Sequence, residues 1–116
     1  MNMNNERLEG PATSFQGFRY VELGDLEVNV FSATSNVVRR LPWRTDEYNG
    51  SPTGLECGYT GAGPHQLAYS LLRECGFDKE TALRVKAGVV TKLIARLPRD
   101  ENWVVSREQV LKAASS

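Results

Sequence analysis

The residues of this chain whose types and spacing could do chemistry gather around one glycine-rich turn. Gly58-Tyr59-Thr60-Gly61-Ala62-Gly63-Pro64 leads into an apolar-periodic stretch. A strand, a glycine turn and a helix in that order present backbone amides and a positive dipole end to an anion such as phosphate. The spacing here is Gly-x-x-Gly-x-Gly, which is neither the dinucleotide fingerprint nor the P-loop pattern. No lysine follows it, and Pro64 removes one of the amides that a phosphate site would use. Three readings stay open for the segment: a phosphate site, a tight structural turn, which the spacing favours, and a partner contact rimmed by Tyr59 and His65. Cys57 and His65 flank the turn as a nucleophile and a base, but no third group that would orient the histidine is evident, and no catalytic residue is expected. Cys57 and Cys75 lack Cys-x-x-Cys spacing, and one histidine cannot complete a usual zinc set, so neither metal nor cofactor is expected. The two cysteines read as small apolar core residues, although their positions do not forbid a disulfide.

Binding chemistry has two further candidates. Trp43 lies beside Arg39, Arg40 and Arg44, and Trp and Arg are the residue types enriched at binding hot spots. The alternative is that Trp43 closes the core under a long loop. Further along, Arg84, Lys92, Arg96 and Arg99 fall within one third of the circumference of an expected helix, opposite its apolar arc. Residues 78–99 hold six basic and two acidic side chains, whereas residues 1–36 hold two basic and five acidic ones. The basic stripe is either an electrostatic footprint for nucleic acid or an acidic protein, or a solvated helix face.

The elements that must position these groups are legible from pattern. Residues 18–23 and 26–32 flank Gly24-Asp25 as a hairpin with a two-residue turn. That turn pairs Leu23 with Leu26, Val21 with Val28 and Arg19 with Val30 on the core side. It pairs Glu22 with Glu27, Tyr20 with Asn29 and Phe18 with Phe31 on the other, and the two glutamates would repel. Val37 and Val38 extend a strand into a long connection that Pro42 and Pro52 interrupt. Residues 55–59 read as a short strand. The first helix is expected to start with Gly63 as cap, Pro64 at its first position and Gln66 in half of a capping box, and to end at Gly76 in a Schellman cap closed by Phe77. Its core stripe is Leu67, Ala68, Leu71, Leu72 and Cys75. Asp78 caps a second helix whose core face is Leu83, Ala87, Val90, Ile94 and Leu97. Residues 102–105 form a strand with Trp103 in the core, and Ser106 with Gln109 makes a capping box for a last helix over residues 107–114. The expected fold is α+β: a small antiparallel sheet, made of the N-terminal hairpin and short strands, with two to three helices packed on one face.

A chain of 116 residues fits one domain, expected over residues 15–116 after a flexible arm at 1–14. Fourteen basic and fourteen acidic residues balance, which excludes the strongly basic profile of a dedicated nucleic-acid domain but not a local basic face. Residues 1–13 carry no apolar core of a secretory signal, and no run of about 18 apolar residues exists to span a membrane, so the chain reads as cytoplasmic.

The run from Glu56 to Ala68, with its Gly-Tyr-x-Gly-x-Gly-Pro-x-Gln-Leu-Ala core, resembles an uncharacterised small domain family met in phages and other mobile elements of bacteria. Similar features are the hairpin tyrosine near Tyr20, Leu41-Pro42, Leu97-Pro98 and Trp103 to Ser106, over roughly residues 18–110. Cys57 stands where the family more often has an aromatic residue. The resemblance brings a mobile-element context and no established activity. The resulting expectation is a non-enzymatic protein that contacts a host protein or protein complex and so inhibits a bacterial defence complex, in the manner of an anti-CRISPR. A nucleic-acid-binding accessory protein using the basic stripe is the alternative. The binding residues expected are Arg39, Arg40, Trp43, Arg44, Tyr59, His65, Arg84, Lys92, Arg96 and Arg99.

Overall fold

The computed structural model of the chain describes residues 12–20, 24–34 and 36–115. Four strands, β1 (Ser14–Tyr20), β2 (Asp25–Ser32), β3 (Val37–Arg40) and β4 (Trp103–Ser106), form one antiparallel sheet in the order β3-β2-β1-β4. Three helices, α1 (Ala62–Glu74), α2 (Lys79–Lys92) and α3 (Arg107–Ser115), pack against it, with a 3-10 turn at Ile94–Arg96 after α2. The α+β architecture expected from pattern is the one observed. The core joins Phe15, Leu26, Val28, Val30, Trp103 and Val105 of the sheet to Leu67, Leu71, Leu72, Val89, Val90, Ile94 and Val110 above it. Cys57 and Cys75 are free thiols buried in that core.

The hairpin keeps its expected faces but not its register. Arg19 pairs with Leu26, Gly17 with Val28 and Phe15 with Val30, a slip of four residues along β1 relative to a two-residue turn. An even slip leaves Leu26, Val28 and Val30 facing inward, so alternation cannot distinguish the two registers. Packing does. Phe15 becomes fully buried, and Gly17 lies under the Trp103 indole, where a Cβ would stand 2.2 Å from a ring carbon. Residues 21–23, and with them the expected repulsion between Glu22 and Glu27, lie outside the described residues; Glu27 stands opposite Phe18. Most of the expected arm also lies outside them, while Ala12 is buried and the Thr13 amide donates to the Phe31 carbonyl at 2.8 Å.

Residues 55–59 are not a strand. The Gly58 amide donates to the Ile94 carbonyl at 3.0 Å instead of to a ladder, and the segment runs as irregular backbone with Leu55 and Cys57 turned into the core. Helix α1 starts two residues earlier than expected, with Gly61 as N-cap and Pro64 at the third helical position. The first amides of a helix have no partner within it, so proline is as well tolerated there as at the first position. Gln66 consequently does not reach back to a cap. At the other end, the amides of Gly76 and Phe77 donate to the carbonyls of Arg73 and Leu72 at 3.1 Å, with Gly76 at φ +99, which is the Schellman arrangement. Asp78 caps α2 through Thr81 N at 2.8 Å, and Ser106 and Gln109 bond reciprocally at the start of α3. The core face of α2 is turned by about one residue from the expected one. Ala82, Val89 and Val90 are buried, whereas Leu83 and Ala87 are exposed. The turn suits the flanking helices: Gly88 lies against the Ala113 carbonyl of α3, and Lys86 reaches His65 of α1. No described helix is long and apolar enough to cross a membrane.

Candidate functional site

Trp43 sits in the connection between β3 and α1, and that connection is held by side chains of α1. Gln66 is fully buried, and its amide uses its whole hydrogen-bonding capacity on loop backbone. Its Oε1 accepts from Gly50 N (2.8 Å) and Ser51 N (3.0 Å), and its Nε2 donates to the carbonyls of Trp43 (2.7 Å) and Tyr48 (2.8 Å). Ser70 Oγ donates to the same Trp43 carbonyl at 2.9 Å. The loop is therefore ordered around two polar side chains on the helix face that meets it.

An ion network completes the clamp. Arg39 and Arg44 both bond Glu74, Arg44 from Nη2 at 2.8 Å, and Arg44 also reaches Glu47 at 3.3 Å. Glu47 accepts from Arg73 Nε at 2.9 Å and from the Tyr69 hydroxyl at 2.7 Å. Burial opposes ionisation of Glu74, and the hydrogen bonds from Arg39 and Arg44 outweigh it, so its carboxyl titrates below the ordinary value. Hydrogen bonds from Arg73 and Tyr69 bring Glu47 down to about 2. Arg44 adopts a left-handed backbone at φ 60, uncommon for a long side chain, while its carbonyl accepts from Glu47 N and Tyr48 N at 3.0 Å. Two of the three arginines expected at a binding surface thus brace the loop. Arg40 alone of the three is well exposed, its side chain 70% accessible with Glu27 at 3.0 Å.

The Trp43 ring rests on Gly54, whose φ of +120 and close approach leave no room for a Cβ, and the tryptophan as a residue remains 42% exposed. It forms one lip of a groove of about 370 Å³, lined on the sheet side by Leu26, Val28 and Arg40 and on the loop side by Leu41, Leu55 and Glu56. Asp25 and Glu27 stand at its rim. Glu56 is bound by both terminal nitrogens of Arg19, at 2.6 and 3.0 Å, and the Arg19 side chain is only 8% exposed.

The remaining expected residues lie elsewhere. Tyr59 and Arg99 stack at the glycine turn, guanidinium to ring centroid 4.7 Å. The imidazole Nδ1 of His65 lies 2.9 Å from Lys86 Nζ; burial and that ammonium hold the ring below its ordinary pKa, as the neutral form. Lys86 also lies 5.0 Å from the centre of the Tyr48 ring. Cys57 is tied to other groups, with its Sγ 3.5 Å from the Pro98 carbonyl and 3.9 Å from Arg19, and burial pushes its thiol pKa up. A neutral, enclosed thiol is a poor nucleophile. Arg84, Lys92, Arg96 and Arg99 are all exposed, but they do not share one helix. Leu93, at φ −129 and ψ −63, ends α2, so Arg96 and Arg99 follow a different path from Arg84 and Lys92. Among the described residues no cluster of histidine, cysteine and carboxylate side chains is arranged to hold a metal ion.

Glu47 and Glu74 are the residues that sequence reasoning passed over, and Gln66, expected to cap its own helix, holds the loop instead. One signal was present: Glu74 occupies the last turn of α1, where the helix dipole disfavours an acid, so its presence there implies cations from another element. Comparison with curated proteins and with solved structures finds no match. A family model does match residues 23–116, most of the chain, and by that match this protein belongs to DUF6166, a family of unknown function.

Proposed function

We propose that the chain is a non-enzymatic binding protein that takes a surface of a partner protein against the Trp43 groove. The observation that carries this reading is the posture of Trp43: the residue stays 42% exposed while its carbonyl is fixed by Gln66 and Ser70. An aromatic side chain on an ordered loop contributes contact area without the entropy cost of ordering that loop on association. Arg39 and Arg44 support the loop from behind, and Arg40 offers the exposed cation beside it. The similarity of the segment from Gly58 to Ala68 to phage and mobile-element proteins makes a host protein the partner class, and a bacterial defence complex such as a CRISPR effector the target this reading names. Pull-down from a bacterial host lysate with wild type, Trp43→Asp and Arg84→Glu tests it. A specific partner kept by Arg84→Glu and lost by Trp43→Asp is expected. Partner lists that Trp43→Asp leaves unchanged would overturn the reading.

Nucleic-acid binding through Arg84, Lys92, Arg96 and Arg99 is the second reading, favoured by the exposure of all four. It predicts affinity that falls steeply with salt, and a gel shift with no complex even at low ionic strength removes it.

A further inference from the structure

Strand β3 accompanies only half of β2. Val37–Arg40 pairs with residues 29–32, the Leu41 amide still donates to the Val28 carbonyl at 2.8 Å, and the chain then leaves the sheet at Pro42. Proline has no amide to give a ladder, so the departure follows from the sequence. Backbone groups in an antiparallel sheet point alternately to the two neighbouring strands. Val28 bonds towards β3, so Leu26, two residues earlier, turns its N–H and C=O to the same side. In the β2–β3 register its partner would be residue 43, but Trp43 stands away in the loop. The groove opens at this vacated position, between residues 25–28 of β2 and the wall formed by Trp43, Gly54 and Leu55. At the opposite edge of the sheet, on β4, the Ser106 amide is taken by Gln109 Oε1 at 2.9 Å.

Resting on the groove reading above, we infer that this slot receives the end of an extended apolar–basic segment of a partner protein, which adds to β2 opposite Leu26 and Asp25 as the missing continuation of β3. The register sets the chemistry of that segment. Residues opposite one another in a sheet share a face. A residue opposite Leu26 falls on the core side, near Leu41, Leu55 and the Trp43 ring, where an apolar side chain is accommodated. Its neighbour on the far side from Leu41 falls on the open face, opposite Asp25, while the position opposite Glu27 is taken by Pro42 of this chain. The lining carries three carboxylates, Asp25, Glu27 and Glu56, against one guanidinium, that of Arg40. Glu27 is bonded to Arg40 and Glu56 to Arg19, whereas Asp25 has no ion pair among the described residues. Lysine or arginine opposite Asp25, next to the apolar residue, therefore complements the one lining carboxylate that has no ion pair among the described residues.

The test uses the full chain, isotope-labelled for NMR, and an end-blocked octapeptide of alternating valine and lysine. Occupancy of the groove is read from the Trp43 indole N–H shift, and strand addition from hydrogen exchange at the Leu26 amide. A saturable Trp43 shift with at least a tenfold slowing of Leu26 exchange is expected. A valine–glutamate octapeptide should bind at least tenfold more weakly, as should a valine–lysine peptide with N-methylated valines, which keeps every side chain but cannot pair. A Trp43 shift without Leu26 protection, or equal binding of the N-methylated peptide, overturns strand addition and leaves the groove reading standing. Unchanged peptide binding by Trp43→Ala overturns the groove reading itself. Absence of binding at millimolar peptide overturns the present inference, while the Trp43→Asp pull-down still decides the groove.

Discussion

Replacing Gln66 with methionine keeps the length and volume of the side chain and removes both its donor and its acceptor, so the loss is polar and leaves no cavity. Four loop groups are affected: Gly50 N, Ser51 N, Trp43 O and Tyr48 O. They are not equally exposed to the change. Trp43 O retains the Ser70 hydroxyl, and Gly50 and Tyr48 are only partly buried, so water can reach them. Ser51 is buried, and its amide has no such recourse. At about 1–3 kcal/mol for a buried group left unsatisfied, the expected destabilisation is about 1–3 kcal/mol. In a domain of this size about 1 kcal/mol moves Tm by some 4–8 °C, so a fall of roughly 4–24 °C is expected in calorimetry. Gln66→Glu should do no better, because a carboxylate accepts from Gly50 and Ser51 but meets the Trp43 and Tyr48 carbonyls with oxygen. Acrylamide quenching of tryptophan fluorescence should rise in both variants as the loop loosens around Trp43. A Gln66→Met protein melting within about 3 °C of wild type, with unchanged quenching, would show that the amide does not organise the loop.

Stability should fall on the acid side through the clamp. Glu47 and Glu74 have folded-state pKa values below the ordinary carboxylate value, so their contribution is complete above that value and is lost as pH drops through the folded ones, for Glu47 towards about 2. Urea midpoints measured from about pH 6 to about pH 2.5 should decline in wild type and decline less in Glu47→Gln; parallel curves would refute the assignment. Gly17→Ala should cost about 1–3 kcal/mol, although alanine ordinarily suits a strand better than glycine, because the new Cβ would stand 2.2 Å from a carbon of the Trp103 indole. A wild-type melting point in that variant would mean that Trp103 does not pack on residue 17.

Local signals were enough at three helix ends, although not at the start of α1. The Schellman end at Gly76, the Asp78 cap and the Ser106–Gln109 capping box each depend on groups within a few residues of one another, and all three stand as the sequence implies. The inward faces of β2 and α1 were equally legible, because burial of Leu26, Val28, Val30, Leu67 and Leu71 follows directly from periodicity. The register of β1 was not. Registers differing by an even number of residues satisfy the same alternation, and the choice was made by Phe15 and by the fit of Gly17 beneath Trp103, a residue 86 positions away.

The same division runs through the candidate site. Composition alone marks Trp43 and its neighbouring arginines as a cluster with binding chemistry, and Pro42 as the point where a strand must stop. It cannot say which arginines face outward, since Arg39 and Arg44 find Glu74, a residue 30 or more positions further on, only when α1 packs against β3 and the loop. Nor can it show that stopping β3 at Pro42 leaves the Leu26 edge without a neighbour beside an exposed tryptophan. Residue types determine what each group is able to do. Which of them are neutralised in the fold and which are left at the groove was decided by long-range packing, because an ion pair or a sheet edge exists only between elements that tertiary structure brings together.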